Sequence, residues 1–232
     1  MSEISIEEGG FLLINKPREW TSFDVVKKLR NISRIKKIGH AGTLDPLATG
    51  LLIVCYGKYT KKIEDLQAQK KEYTGTFEVG KTTPSYDLET AVDKEFPIEH
   101  ITTVFLEEKL EVFRGDIKQV PPQFSAVKVN GKRAYEYARK GEEVKLKVRE
   151  AHISRYDVDN SAFPTLSFVI ECSKGTYIRS LARDLGLALD SGAYMSSLIR
   201  TMIGDYHVNE AVDMADIKTQ EDFFKNARQF PE

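Results

Sequence analysis

The sequence predicts an α+β fold built on a large mixed or mainly antiparallel sheet flanked by helices and loops. Three observations carry that prediction. Strand-like and helix-like patterns intermix along the chain without a regular βαβ rhythm. Two segments, Tyr73–Val79 and Leu166–Cys172, alternate apolar and polar residues as half-buried strands do. Asn130-Gly131, within Ser125–Arg133, signals a tight hairpin.

At 232 residues the chain is long enough for one large domain or two small ones. A compact domain of that size buries roughly 70–75% of its extended-chain surface, so its core needs no disulfide or metal staple. Hydrophobic residues at 41% and charged residues at 30% describe a soluble globular protein. No apolar run approaches the ~20 residues of a membrane span. The acidic start, Met1 to Gly10, lacks the basic region of a secretory signal, so a cytoplasmic protein is expected. Cys55 and Cys172 each lie in an apolar run and read as core residues. Without a CxxC pair and with four scattered histidines, no metal site is expected.

The elements follow in order. Phe11–Ile14 reads as a short buried strand. Thr21 or Ser22 caps a helix that runs to about Ile32, with Asp24 in its first turn and Val25, Val26, Leu29 and Ile32 on one face. The segment Gly39-His40-Ala41-Gly42-Thr43-Leu44-Asp45-Pro46-Leu47-Ala48-Thr49-Gly50 forbids a regular element across its centre. Pro46 keeps Asp45 out of the helical region, and the glycines allow turns or close backbone approach. The expected product is a fixed irregular loop presenting His40 and Asp45, tied to the buried run Leu51–Tyr56. Read alone, Asp-Pro and clustered glycines are also ordinary turn punctuation.

After the loop, Thr60–Leu66 reads as a helix and Tyr73–Gly80 as a strand with Tyr73, Phe77 and Val79 on one face. Gly75-x4-Gly80-Lys81-Thr82 matches the phosphate-binding pattern GxxxxGK[ST]. The pattern requires a glycine-rich loop between strand and helix. Here strand formers fill its interior and a turn follows, so the match reads as chance.

A helix is expected over 103–113, a short helix over 134–140 stopped by Gly141, and a strand through Val144, Leu146 and Val148. Leu166–Cys172 is a strand. A helix from about Tyr177 to Leu189 carries Arg179 and Arg183 near its start, where cations oppose the helix dipole. Both arginines are therefore expected to answer negative groups outside the helix. Ser197–Arg200 opens a further apolar run.

The net charge is −1, from 34 basic and 35 acidic residues, so there is no global positive excess of the kind nucleic-acid binders show. Basic residues nonetheless flank the Asp45 loop. Lys27, Lys28, Arg30, Arg34, Lys36 and Lys37 precede it, and Lys58, Lys61 and Lys62 follow it. Such a distribution suits a phosphate backbone, though a charge run can equally be a solvated face.

Gly39 to Leu52 closely resembles the signature of the TruB family, bacterial pseudouridine synthases that modify the T-loop uridine of tRNA. Lys16-Pro17-Arg18-Glu19-Trp20-Thr21-Ser22 resembles the family's Lys-Pro-x-Gly-x-Thr/Ser-Ser motif, with Glu19 in the place of the glycine. The segments ending in Asp87 and spanning Gly131–Arg139 are also similar. The resemblance implies the pseudouridine synthase fold and isomerisation of the T-loop uridine (position 55) to pseudouridine. The implied catalytic residues are Asp45, Tyr73 and Arg179. Asp45 supplies the carboxylate, Arg179 its guanidinium partner, and Tyr73 stacks on the flipped uracil and can act as a base. Lys16, His40, Tyr177 and Leu198 are implied to line the pocket, His40 filling the space the flipped base leaves. Asp87 is implied to contact RNA.

Breaking the glycosidic bond, turning the uracil and rejoining it through carbon needs no redox step or carried group, so no cofactor and no metal are expected. The expected partner is the tRNA T-stem-loop, engaged by a monomer without guide RNA and without a membrane. Many family members carry a C-terminal PUA domain. Only about thirty residues follow Arg200. A single catalytic domain over 1–232 is therefore expected, with a short extension after about residue 205 and no full PUA domain. Rival readings are a silent RNA-folding module, a P-loop hydrolase built on Lys81, and a guide-dependent enzyme of the dyskerin type.

Overall fold

A computed structural model of the chain describes residues 9–229. The acidic start up to Glu8, on which the expectation of no secretory signal rests, and the last three residues lie outside the described residues. In chain order the first elements are β1 (Gly10–Lys16), α1 (Ser22–Ser33), β2 (Ile38–His40), β3 (Thr49–Tyr56), α2 (Ile63–Ala68), β4 (Lys71–Val79), β5 (Lys81–Thr82), β6 (Lys94–Glu95) and α3 (Thr103–Glu111). Then come β7 (Gly115–Gln119), β8 (Lys128–Val129), β9 (Lys132–Arg133), α4 (Ala134–Ala138), β10 (Arg149–Asp159), β11 (Thr165–Cys172) and α5 (Ile178–Ala188). The last are β12 (Ala193–Ile203), β13 (Tyr206–His207), β14 (Val212–Asp213) and α6 (Gln220–Lys225). The fold is α+β with a large, mainly antiparallel sheet. The chain divides into two compact units, one comprising residues up to Tyr73 and from Leu198 onward, the other Thr74–Ser197.

In the first unit the strand order is β14-β1-β3-β12, with β2 also on β3 and β13 on β12. β1 and β3 pair antiparallel along their whole length, from Gly10↔Tyr56 to Lys16↔Gly50. Both strands are buried on both faces. Leu12, Ile14, Leu52, Val54 and Tyr56 pack with Val25, Val26 and Leu29 of α1 and Phe223 of α6. Phe11, Leu13, Leu51, Ile53 and Cys55 pack on the other side with Leu66 of α2 and Ile203. This double burial is why Leu51–Tyr56 reads as an unbroken apolar run rather than an alternation. Thr21 caps α1 in a reciprocal capping box with Asp24. Burial pushes the Cys55 thiol up to about 12, as befits a core residue.

In the second unit the order is β12-β4-β11-β10-β7. Phe77 of β4 packs on Phe168 of β11 with ring centroids 4.3 Å apart, and Leu181 and Leu185 of α5 are fully buried. Asn130 and Gly131 both have positive φ, at 50° and 82°, and join β8 to β9 as the hairpin signal requires. The P-loop match lacks its context. Gly75 lies inside β4, where a Cβ would come within 2.2 Å of the Ser197 carbonyl, and a two-residue strand follows Gly80 in place of a helix.

Two expectations are corrected. Residues 57–62 form a 3-10 turn ahead of α2, so the helix expected from Thr60 starts at Ile63. Val144–Val148 is not a strand. The Val144 amide and carbonyl are satisfied by the Gln123 side chain, at 3.2 and 2.9 Å, and Val148 is exposed. The strand begins instead at Arg149, and a bulge between Ile153 and Arg155 throws its burial out of phase. Ala151 and Ile153 are buried before the bulge and Tyr156 after it, so no simple alternation marks β10. Among the described residues no helix is long and apolar enough to cross a membrane.

Candidate active site

The loop from Ala41 to Ala48 leaves β2 and enters β3, whose pairing with β2 runs from Ile38↔Tyr56 to His40↔Val54. Ala41 donates its amide to the Ile53 carbonyl at 2.8 Å, extending that register by one residue. The Asp45 carbonyl accepts from the Ala48 amide at 3.1 Å, closing a turn with Pro46 at its second position, where the fixed proline φ fits. Ala41, Leu44 and Ala48 are buried, while Asp45 is half-buried. Apolar anchors thus root the loop around the half-buried Asp45.

Four further groups hold this loop. Ser22, the first residue of α1, brackets Leu44, accepting from its amide at 2.8 Å and donating to its carbonyl at 3.2 Å. Lys16 is fully buried and donates to the carbonyls of Pro17, Trp20 and Pro46 at 2.9, 2.6 and 3.2 Å. Burial lowers its pKa to about 8 against the pull of Asp45, with the Arg200 charge adding to the lowering. The Glu19 amide donates to the same Pro46 carbonyl at 2.8 Å. Arg200, on β12, donates to the carbonyls of Leu51, Thr43 and Gly42 at 2.8, 3.5 and 3.1 Å.

All three protons of Lys16 go to main-chain carbonyls, so in this structure it fastens the loop. Glu19 has φ +69°, the left-handed region that glycine adopts without cost. The glycine of the family motif therefore answers a real backbone requirement that Glu19 meets under strain.

His40, the last residue of β2, is half-buried. Burial holds its pKa below the ordinary value and the Arg200 charge adds to this, against a hydrogen bond donated to the backbone of Gly42. The ring is therefore neutral at physiological pH. Tyr73 is half-buried in β4, and Leu198 is buried in β12, two residues from Arg200 on the same side of the strand.

Asp87, Tyr177 and Arg179 lie in the second unit. Arg179, in the first turn of α5, is 4% exposed, and its Nε lies 3.5 Å from Asp87 Oδ2. Its Nη1 and Nη2 donate to the Ser85 and Phe124 carbonyls at 3.2 and 2.9 Å. Asp87 is 3% exposed, and the Thr83 and Ser85 hydroxyls both donate to its carbonyl. A carboxylate so enclosed and ion-paired is a partner for Arg179, not the surface RNA contact expected of it. Tyr177 caps α5, its amide and carbonyl bracketed by the Gln119 side chain at 2.8 and 3.1 Å. Arg179 thus answers a carboxylate outside its helix, as expected. Arg183 pairs instead with Asp184 on its own helix at 2.6 Å and lies over the Tyr86 ring.

Sequence reasoning missed the buried contacts of Ser22, Gln119 and above all Arg200. Arg200 had one legible mark, a cation two residues from Leu198 at an inward position of an apolar strand. Among the described residues no cluster of His, Cys, Asp and Glu could hold a metal ion.

The family model "TruB family pseudouridylate synthase (N terminal domain)" matches residues 30–178, and "tRNA pseudouridylate synthase B C-terminal domain" matches 179–229. The chain is 53% identical over 214 residues to the tRNA pseudouridine synthase B of Flavobacterium johnsoniae, covering 89% of this chain and 93% of that protein. It is 51% identical over 217 residues to that of Phocaeicola vulgatus, covering 91% and 92%. Among solved structures, a chain of the "Crystal Structure of a Cbf5-Nop10-Gar1 Complex" superposes with a TM-score of 0.74 at 26% identity, covering 97% of this chain and 60% of that one. Its loop, its fold and relatives more than half identical over most of their length agree: the chain belongs to the TruB family of pseudouridylate synthases.

Proposed function

We propose that this chain isomerises the T-loop uridine at position 55 of tRNA to pseudouridine, acting as a monomer without guide RNA or cofactor. The observation that carries the proposal is the Asp45 loop, rooted by buried side chains and fastened by Lys16, Ser22 and Arg200 so that one carboxylate is presented. A rigid scaffold holding a single acid suits a reaction that depends on placement.

The uridine must leave its stack to be reached, at a cost of a few kcal/mol that aromatic stacking offsets. In this reading His40, neutral and therefore without a charge to desolvate, occupies the vacated space. Tyr73 stacks on the flipped uracil. Asp45 engages the nucleoside while the N1–C1′ bond breaks and C5–C1′ forms. The proton on C5 is then lost and N1 gains one, so atoms balance without any co-reactant. Tyr73 is the residue assigned to take the C5 proton, and Arg179, held by Asp87, keeps the guanidinium role that the family resemblance implies.

The basic residues support an RNA substrate. Gly57 donates to the Lys37 carbonyl at 2.9 Å, which sets the exposed Lys36 and Lys37 beside the exposed Lys58 at the end of the β2–β3 pair opposite the loop. Three residues of β2 separate this cluster from the loop, about 10 Å of strand, a reach that suits phosphates near the target nucleotide.

Purified protein and a T-stem-loop transcript, with no guide RNA, nucleotide or metal, provide the test. Conversion of the T-loop uridine is expected. Conversion only when a guide RNA is added would favour the guided reading. Tight binding with no conversion would favour a folding module.

A further inference from the structure

We infer that Arg200 is a positioning residue for the catalytic loop, a buried cation that ties the two ends of the loop to one another. The inference rests on the assignment of Asp45 as the catalytic carboxylate. Arg200 itself was picked out by no motif.

The geometry is specific. Arg200 is 1% exposed. Its backbone pairs in parallel register with Gly50, the last glycine of the loop, and a Cβ on Gly50 would come within 2.4 Å of the Arg200 carbonyl. Gly50 also has φ +98°, so this close approach depends on glycine twice over. From that anchor the side chain runs beneath the loop. Nε donates to Leu51 on the C-terminal side of Asp45, and Nη1 and Nη2 donate to Thr43 and Gly42 on its N-terminal side.

One planar fork thus reaches the carbonyls of Gly42 and Thr43 before Asp45 and of Leu51 after it. Arginine suits this position because its donors point in fixed directions, whereas a lysine at the same place is a point charge on a flexible stem. The same guanidinium lies close enough to His40 to oppose protonation of the ring. The other charged groups of this cluster are Lys16 from β1, Asp24 from α1 and Asp45 on the loop.

A buried charge facing only carbonyl oxygens is costly to keep. Its presence here is explained if the loop must hold a single shape. A misplacement of about 1 Å at a reacting group can cost a hundredfold in rate.

The test compares wild type with Arg200→Lys and Arg200→Gln, each first checked for cooperative melting. Amide hydrogen exchange of Ala41, Leu44 and Ala48 is read without RNA, followed by kcat and KM on the T-stem-loop and the His40 titration by NMR. Arg200→Lys is expected to fold, to exchange these loop amides at least tenfold faster than β1 amides change, and to lose about a hundredfold in kcat with little change in KM. In Arg200→Gln the His40 pKa is expected to rise. Unchanged loop exchange in Arg200→Lys would overturn the inference, as would kcat within threefold of wild type. If wild type itself turned over no T-loop uridine while Arg200→Lys still loosened the loop, the substrate reading would fall and the positioning role would stand.

Discussion

The Lys16 ammonium donates to the Pro46 carbonyl at 3.2 Å, across thirty residues of sequence, and so fastens the end of β1 to the turn that carries Asp45. The Glu19 amide donates to the same oxygen at 2.8 Å. One carbonyl, next in sequence to the acid, is therefore held from two directions by the segment between β1 and α1.

Lys16 has a signature in pH. Its pKa is lowered from 10.5 to about 8 in the folded chain. Between those values the unfolded chain binds the proton and the folded chain does not, so this group's contribution to stability rises with pH across that window. Below about pH 8 both states are protonated and the cost of burial is felt in full. Denaturation of wild type and Lys16→Met from pH 7.5 to 10.5 should show the difference moving in favour of wild type by up to about 3 kcal/mol. A difference that stays constant would mean Lys16 does not titrate there.

Glu19 offers a stabilising substitution. At φ +69° a non-glycine residue carries strain of about 1–3 kcal/mol, of which glycine recovers part after its own entropy cost of about 0.5–1 kcal/mol. Glu19→Gly leaves the amide that donates to Pro46. It should raise the melting temperature by about 2–4 °C for a gain of about 1 kcal/mol. A lower melting temperature would show that the Glu19 side chain contributes more than its backbone costs.

Asp87 and Arg179 form a pair in which each side chain is 5% exposed. Removing one member of such a buried pair costs about 3–5 kcal/mol. Asp87→Ala should therefore melt at a markedly lower temperature, and Asp87→Asn at an intermediate one, while tRNA affinity at fixed salt hardly changes. Weakened affinity in Asp87→Asn with unchanged melting would restore the RNA-contact role.

The lysine cluster should be visible in salt. Each phosphate contact contributes about 0.7–0.9 to the slope of log affinity against log salt. Lys37→Ala and Lys58→Ala should each weaken tRNA binding and reduce that slope by nearly one. Full affinity and slope in the double variant would place the RNA elsewhere.

Much of this was legible in the sequence, for local reasons. The capping box of α1, the Asn130-Gly131 turn, the doubly buried β3 and the irregular Asp45 loop each follow from residues close in sequence. What was not legible depends on partners far away. Gln123 satisfies the backbone at Val144 and removes the need for a strand there. The bulge in β10 breaks the alternation that would have revealed it. Arg200 and Lys16 present charges that composition assigns to the surface, and only the fold shows them buried against carbonyls. Asp87 likewise looked available to RNA until Arg179 was found beside it.

The central claim is that the Asp45 carboxylate does the chemistry and the rest of the loop holds it. Asp45→Asn changes one oxygen to an amide and leaves the Asp45–Ala48 turn intact. The deciding measurement is single-turnover conversion of a T-stem-loop by Asp45→Asn at saturating enzyme, with binding measured on the same preparation. The account predicts tRNA binding close to wild type and essentially no pseudouridine. Turnover within tenfold of wild type would contradict it and remove Asp45 from the centre of the site.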